Sequence, residues 1–131
     1  MKVRGLDGRE HNWRLDKYIN KQRVDCSKFH LRARAFLAEF YPACQILEEV
    51  YLPGDKLYLD FYIPHMHTAI ECQGDQHNKF VQHFHGTKGK FKTQVGRDHR
   101  KAEWCIQNRI DLVYFKPEEK DEEWKIKLEN L

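Results

Sequence analysis

Residues 57–74, LYLDFYIPHMHTAIECQG, decide the fold of this chain. In the first part of this stretch every second residue is apolar, which is the period of a half-buried strand: Leu57, Leu59, Phe61 and Ile63. A turn near Pro64 follows, and residues 67–73 indicate a second strand that stops at Gly74. Two strands joined by so short a turn are predicted to be antiparallel.

The flanking segments complete a predicted α/β domain. They are, in order, a helix over 27–41 capped by Ser27, a strand over 45–52, a long loop over 75–95, a helix over 97–109, a strand over 110–115 and a helix opened by Pro117. The last strand follows a helix, so we expect it to run parallel to its neighbour. The sequence therefore predicts an α/β sandwich with a mixed β-sheet flanked by helices.

The size and composition favour one globular domain. The chain has 131 residues, which we divide into a basic N-terminal extension, residues 1–26, and a domain over residues 27–131. No apolar run approaches the ~18 residues of a membrane span, and the first residues lack the apolar stretch of a signal peptide. The four cysteines contain no CxxC pair, which favours free thiols. We expect a cytoplasmic protein, monomeric or homodimeric, with no membrane partner.

Positive charge is concentrated in two segments, although the net charge is only +3. Residues 1–37 carry ten basic and four acidic side chains, and residues 78–97 carry five basic and no acidic ones. The second segment interleaves phenylalanines and histidines with its lysines and glycines, a mixture suited to phosphates and bases. We therefore expect DNA as the partner, and the candidate contacts are Lys79, Lys88, Lys90, Lys92 and Arg97.

Two carboxylates are predicted to converge within the deciding stretch. Asp60 is a polar position between apolar neighbours, and Glu71 shares one face of the next strand with Gln73. If the two strands pair, the carboxylates of Asp60 and Glu71 come close together, which is costly without a positive charge between them. A Mg²⁺ or Mn²⁺ ion would remove that cost, with the backbone carbonyl of Cys72 as a further ligand. The alternative is that both acids are surface residues paired with lysines.

Four ordered blocks resemble the PD-(D/E)xK nuclease superfamily. They are LDFYIP around Asp60, AIECQGDQH over 69–77, RDHRK over 97–101 and IDLVYF over 110–115. Within the superfamily the resemblance is to very-short-patch-repair (Vsr-like) mismatch endonucleases and to phage homing endonucleases with an EDxHD pattern. The resemblance covers residues 27–116. It implies a restriction-endonuclease-like fold and Mg²⁺-dependent hydrolysis of phosphodiester bonds in double-stranded DNA, in a bacterial or phage-infected cell.

The resemblance also implies a set of catalytic residues. Its members are Asp60 and Glu71 as metal ligands, His77 beside the attacked phosphate, Asp98 at the start of the following helix, and Lys101 one turn further on. Gln73 stands where the superfamily usually has lysine, and Lys101 could supply the missing charge from the helix. His77 is suited to transfer a proton during phosphodiester hydrolysis.

Two other functions stay open at this point. One is a structure-specific nuclease that resolves branched DNA. The other is a non-cleaving DNA-binding protein of the same fold, in which Gln73 marks lost catalysis. A zinc ion on His65 and His67, or on His83 and His85, is a further alternative, although no cysteine pair accompanies either histidine pair.

Overall fold

The computed structural model describes residues 1–74 and 88–131, with side chains from residue 96 onward in the second part. The strands are β1 Lys2–Arg4, β2 Glu10–Asn12, β3 Leu47–Leu52, β4 Leu57–Ile63, β5 Thr68–Cys72 and β6 Asp111–Phe115. The helices are α1 Lys28–Phe40, α2 Lys88–Gln107 and α3 Asp121–Glu129, with short 3₁₀ helices at Leu15–Tyr18 and Pro64–Met66. The predicted α/β fold with a mixed sheet is confirmed.

The main sheet has the strand order β3-β4-β5-β6. The first three strands are antiparallel, and β6 pairs in parallel with β5, as the order of elements predicts. The connection between β5 and β6 contains α2, which is the crossover that a parallel pair requires. A second sheet, formed by β1 and β2, was not predicted from the sequence.

Helix α1 begins where the sequence places it. The Ser27 side chain accepts a hydrogen bond from the backbone N–H of His30, at 3.1 Å, so it satisfies one of the unpaired donors of the first turn. Ala33 and Leu37 lie four residues apart and are fully buried. The helix therefore packs its apolar face against the sheet through these positions.

The sheet separates two hydrophobic cores. The first core lies under α2 and the N-terminal segment, and its tryptophans are Trp13 and Trp104. The second core lies under α1 and α3, around Phe115 and Trp124. Val3 joins Trp13 in the first core, so the basic segment over residues 1–26 packs onto the domain.

The side chains of β4 change sides of the sheet at Asp60. The expectation that the alternating apolar residues of this strand share one buried face is therefore wrong. Leu57 and Leu59 belong to the first core, whereas Phe61 and Ile63 belong to the second. The neighbouring residue Glu49 has a φ of +51°, and the register between β3 and β4 contains no pair at this level. Since a residue in the left-handed region interrupts the pleat, the two strands change faces there together.

Helix α2 is longer than predicted. It begins at Lys88, so residues 88–96 are helical rather than part of a loop. The glycines in this segment concealed the helix, but its lysines and glutamine are good helix formers. Trp104 and Cys105 fix the other end of the helix in the first core, and extending a helix is easier than nucleating one. The remainder of the predicted loop, residues 75–87, lies outside the described residues.

All four cysteines are free, as predicted. Burial raises the pKa of the Cys105 thiol to about 12, so this thiol stays protonated at neutral pH. Among the helices that the structure describes, none is long and apolar enough to cross a membrane.

Candidate active site

Strands β4 and β5 separate at one end and form a fork. Their last ladder pair is Phe61 with Ile70, and Asp60 and Glu71 come next on the two strands. The backbone N–H of Asp60 donates to Oε2 of Glu71 at 2.7 Å, and the N–H of Cys72 donates to Oδ2 of Asp60 at 2.8 Å. Two carboxylates thus replace the missing strand-to-strand hydrogen bonds, and the structure brings Asp60 and Glu71 together.

Lys101 completes the fork from helix α2. Its Nζ atom lies 2.6 Å from Oε1 of Glu71, and the Glu71 side chain is only 7% exposed. Burial and the adjacent Asp60 carboxylate raise the pKa of Glu71 well above its ordinary value, and Lys101 opposes that shift. The site therefore holds two carboxylates and one ammonium group in a largely desolvated position.

The fork opens into a cleft of about 600 Å³. Asp60 and Lys101 line the cleft together with Tyr58, and its other charged walls come from three separate parts of the chain: Arg23, Glu49, Asp55, Lys56, Arg97 and Arg100. Among the described residues that line the cleft, five side chains are basic and three are acidic. Such a cleft favours an anionic ligand, although its floor carries carboxylates.

The structure also locates the backbone of Cys72 and Gln73. The N–H of Cys72 points into the fork, and in an extended strand the carbonyl of the same residue points to the same side. The backbone N–H of Gln73 donates to the carbonyl of Phe115 on β6 instead. The Gln73 side chain makes no hydrogen bond to any residue that the structure describes.

Asp98 lies in the middle of α2, not at the start of a helix, because α2 begins ten residues earlier at Lys88. The expectation that Asp98 lies at the start of this helix is therefore wrong. Asp98 and Lys101 are one turn apart on the helix. Burial raises the pKa of Tyr114, and the negative charges of Asp98 and Glu71 raise it further. Helix α2 packs on the first core and its Lys101 reaches Glu71, so Asp98 lies on the helix that covers the same side of the sheet as the fork.

The candidate DNA contacts are only partly within the described residues. Arg97 lines the cleft. Lys88, Lys90 and Lys92 lie on the first turns of α2, whose backbone leads toward Lys101. His77 and Lys79 lie outside the described residues, and their predicted roles stay predictions.

Several residues near the fork were missed in the sequence. Tyr114 is the β6 partner of Glu71 in the parallel register. Arg23, Lys56 and Arg100 reach the cleft from segments far apart in the sequence, so no local pattern could have grouped them. Tyr58 carried no usable signal either, because the alternation of β4 reverses at Asp60, so a spacing of two residues does not place the two side chains on one face.

The chemistry of the fork is compatible with a divalent cation. The donors are two carboxylates and the Cys72 carbonyl, which are oxygen ligands of the type that Mg²⁺ prefers. In residues 1–74 and 96–131, no three side chains of the His, Cys, Asp or Glu type converge as a metal site, and His65 and His67 form no such group. Mg²⁺ is commonly held by one or two carboxylates together with water and substrate phosphates, so two acids are enough.

Comparisons with known proteins give one partial match. No family model and no solved structure matches the chain. A segment of 58 residues is 38% identical to the protein named "Uncharacterized protein 307L" from Invertebrate iridescent virus 6. The match covers 44% of this chain and 29% of the viral protein, so the shared segment is less than a third of that protein's length.

Proposed function

We propose that the protein is a metal-dependent DNA endonuclease that hydrolyses phosphodiester bonds at the fork. One observation carries the proposal: the carboxylates of Asp60 and Glu71 meet beside the Lys101 ammonium on the wall of a basic cleft. A buried acid beside a second carboxylate at a strand fork is expensive for stability, and a perturbed group such as Glu71 is typical of functional sites. The resemblance of the four sequence blocks to PD-(D/E)xK nucleases also favours metal-dependent hydrolysis of phosphodiester bonds.

Asp60, Glu71 and the Cys72 carbonyl would hold the Mg²⁺ ion. When bound, the ion would polarise a phosphoryl oxygen and lower the pKa of a coordinated water. The raised pKa of Glu71 supports this assignment, because a carboxylate destabilised by its neighbours gains the most from an added positive charge.

The chain's own residues would position the DNA. Arg97 and the other basic residues of the cleft hold the phosphate backbone. Lys101 places a fixed positive charge beside the carboxylates, where negative charge develops during attack on phosphorus. The resemblance implies that His77 lies beside the attacked phosphate, where it could accept the proton of the attacking water or protonate the leaving oxygen.

Lys101 also bears on the non-cleaving alternative. Loss of catalysis was inferred from Gln73, which replaces the usual lysine of the superfamily. Lys101 brings an ammonium group to 2.6 Å from Glu71, so the site keeps a lysine supplied from another element. This geometry favours a cleaving enzyme over a protein that only binds DNA.

The test is cleavage of plasmid, mismatched and branched DNA by the purified protein, with Mg²⁺ and with EDTA. Asp60→Asn and Glu71→Gln are the informative variants, since their amide oxygens can still accept the backbone N–H bonds of the fork. The exposed acid Asp111 provides the matched control, Asp111→Asn.

We expect cleavage in Mg²⁺ and none in EDTA. Both site variants should lose at least about 100-fold in rate, the scale of removing one preorganised electrostatic contact, while DNA binding and the control rate are retained. Cleavage that persists in EDTA, or wild-type rates in Asp60→Asn, would refute the proposal. DNA binding without cleavage of any of the three substrates would support the non-cleaving alternative.

A further inference from the structure

A half-exposed aromatic ring lies at the wall of the cleft. Tyr58 is 50% exposed and lines the cleft together with Asp60. The two residues are separated by two positions on β4, so their Cα atoms are about 7 Å apart at the usual strand rise. The flanking residues Leu57 and Leu59 are buried in the first core, whereas the Tyr58 ring is turned away from it.

The Tyr58 ring lies on a fixed platform. Its partner in the β3–β4 register is Tyr51, and the two rings meet edge to face with centroids 5.4 Å apart. The backbone N–H of Tyr51 donates to the Tyr18 hydroxyl at 3.0 Å, and its carbonyl accepts from Trp13 Nε1 at 2.8 Å. These hydrogen bonds fix the backbone of Tyr51, and the Tyr58 ring packs against the Tyr51 ring. A ligand that stacks on Tyr58 would therefore cause little loss of side-chain entropy.

The charges around the Tyr58 ring are suited to the phosphate backbone of a nucleic acid. Two acids of the cleft are already neutralised, since Arg100 lies 3.2 Å from Asp55 and Arg23 lies 3.8 Å from Glu49. Lys56 and Arg97, in contrast, make no ion pair with any residue in the described part of the chain. These two cations therefore remain to bind phosphates on the cleft wall.

The size and composition of the cleft are suited to an unpaired nucleotide. Its volume of about 600 Å³ lies in the range of small-molecule sites, so a nucleotide fits inside it. Proteins that bind single strands combine a basic groove with aromatic rings on which bases stack. In a perfect duplex both faces of each base are covered by neighbours, so no base face is available to Tyr58.

We propose that the Tyr58 ring stacks on an unpaired base next to the scissile phosphate, with Lys56 and Arg97 holding the adjoining backbone. The protein then prefers DNA with unpaired nucleotides, in single strands, mismatches or branches, over a perfect duplex. This inference rests on the proposed nuclease function for the identity of the ligand.

The test measures binding alone. Fluorescence anisotropy in EDTA would compare a labelled single strand of about 12 nucleotides, within the usual 4–16 nucleotide site sizes, with a mismatched and a matched duplex. The variants are Tyr58→Ala and Tyr58→Phe, which keeps the ring. Ile106→Ala is the control, since Ile106 is 76% exposed on α2 and is not a cleft residue. Circular dichroism would verify that each variant is folded.

Tyr58→Ala should weaken binding to the single strand and to the mismatched duplex by roughly 5- to 150-fold, the reported stacking contribution of one base. Tyr58→Phe and Ile106→Ala should match the wild type, and matched-duplex affinity should be unchanged in all variants. The inference is overturned if Tyr58→Ala binds all three DNAs like the wild type, or loses the same factor on each.

The two proposals can fail separately. If binding depends on Tyr58 as described but no DNA is cleaved in Mg²⁺, the nuclease proposal fails and the stacking proposal stands. If the protein cleaves DNA while Tyr58→Ala binds and cleaves normally, the stacking proposal alone fails.

Discussion

Replacing Lys101 with methionine tests the division of roles between Lys101 and Gln73. The Lys101 ammonium lies 2.6 Å from Glu71, and the two side chains are 19% and 7% exposed, so little water screens the pair. Loss of a charge preorganised at the reacting phosphate costs about 2.7–4 kcal/mol, or roughly 100- to 1,000-fold in rate. Gln73→Ala removes a neutral side chain with no hydrogen bond in the described part of the chain. Gln73→Ala should therefore reduce the cleavage rate less than Lys101→Met does.

The same substitution has a pH-dependent effect on stability. Lys101 lowers the pKa of Glu71, so its removal should raise that pKa further above the ordinary 4.5. A carboxyl group with a raised pKa in the folded state is best tolerated when protonated, and folding loses free energy as pH rises above the unfolded value. Lys101→Met should therefore lose stability in step with the wild type between about pH 4.5 and 8, and become the less stable of the two above about pH 8, where only the wild-type carboxyl ionises in the folded state.

Both effects can be measured on one set of proteins. Single-turnover cleavage with Mg²⁺ gives the rates, and urea unfolding at several pH values gives the free energies. Lys125→Met, on the exposed side of α3, is the matched control and should change neither quantity. The reasoning is refuted if Lys101→Met cleaves at the wild-type rate, if Gln73→Ala is the slower variant, or if the stability difference grows toward low pH.

Two further predictions concern groups outside the fork. Burial alone would raise the pKa of Glu48, but hydrogen bonds from Arg34, His30 and a backbone N–H lower that pKa below its ordinary value. The ionised Glu48 carboxylate therefore stabilises the fold above about pH 4.5, and this stabilisation is lost as pH falls. Glu48→Ala should cost about 3–5 kcal/mol at pH 7 and flatten the acid limb of urea-unfolding curves; an unchanged acid limb would contradict the ion-pair explanation. Neutralising Lys88, Lys90 and Lys92 together should weaken binding to all DNA sequences equally and reduce the slope of log affinity against log salt by roughly 0.9 per lost phosphate contact. If affinity and salt slope both persist, these lysines do not bind DNA.

The predictable parts of this fold are those with a local period. The alternation before Pro64 and the helical spacing after Ser27 located β4 and α1, and the order of elements gave the parallel β6. The meeting of Asp60 and Glu71 followed from two strands and one short turn. Each of these inferences depends on neighbours in the sequence.

The unpredicted parts depend on contacts between distant segments or on one backbone angle. The reversal at Asp60 requires the positive φ of Glu49, which is not a glycine and gives no sign in the sequence. Arg23 reaches the cleft from a region without regular structure. Helix α2 extends back to Lys88 although the glycines there favour a loop.

The carboxylates of the fork join two strands as well as forming the candidate site, and this restricts how the protein can change in evolution. An apolar residue at position 60 or 71 would leave a backbone N–H without an acceptor at the end of the ladder, so it would impair folding as well as cleavage. An amide at either position would remove the negative charge and keep the acceptor. A lineage that gave up catalysis while keeping this fold should therefore pass through asparagine or glutamine at these two positions.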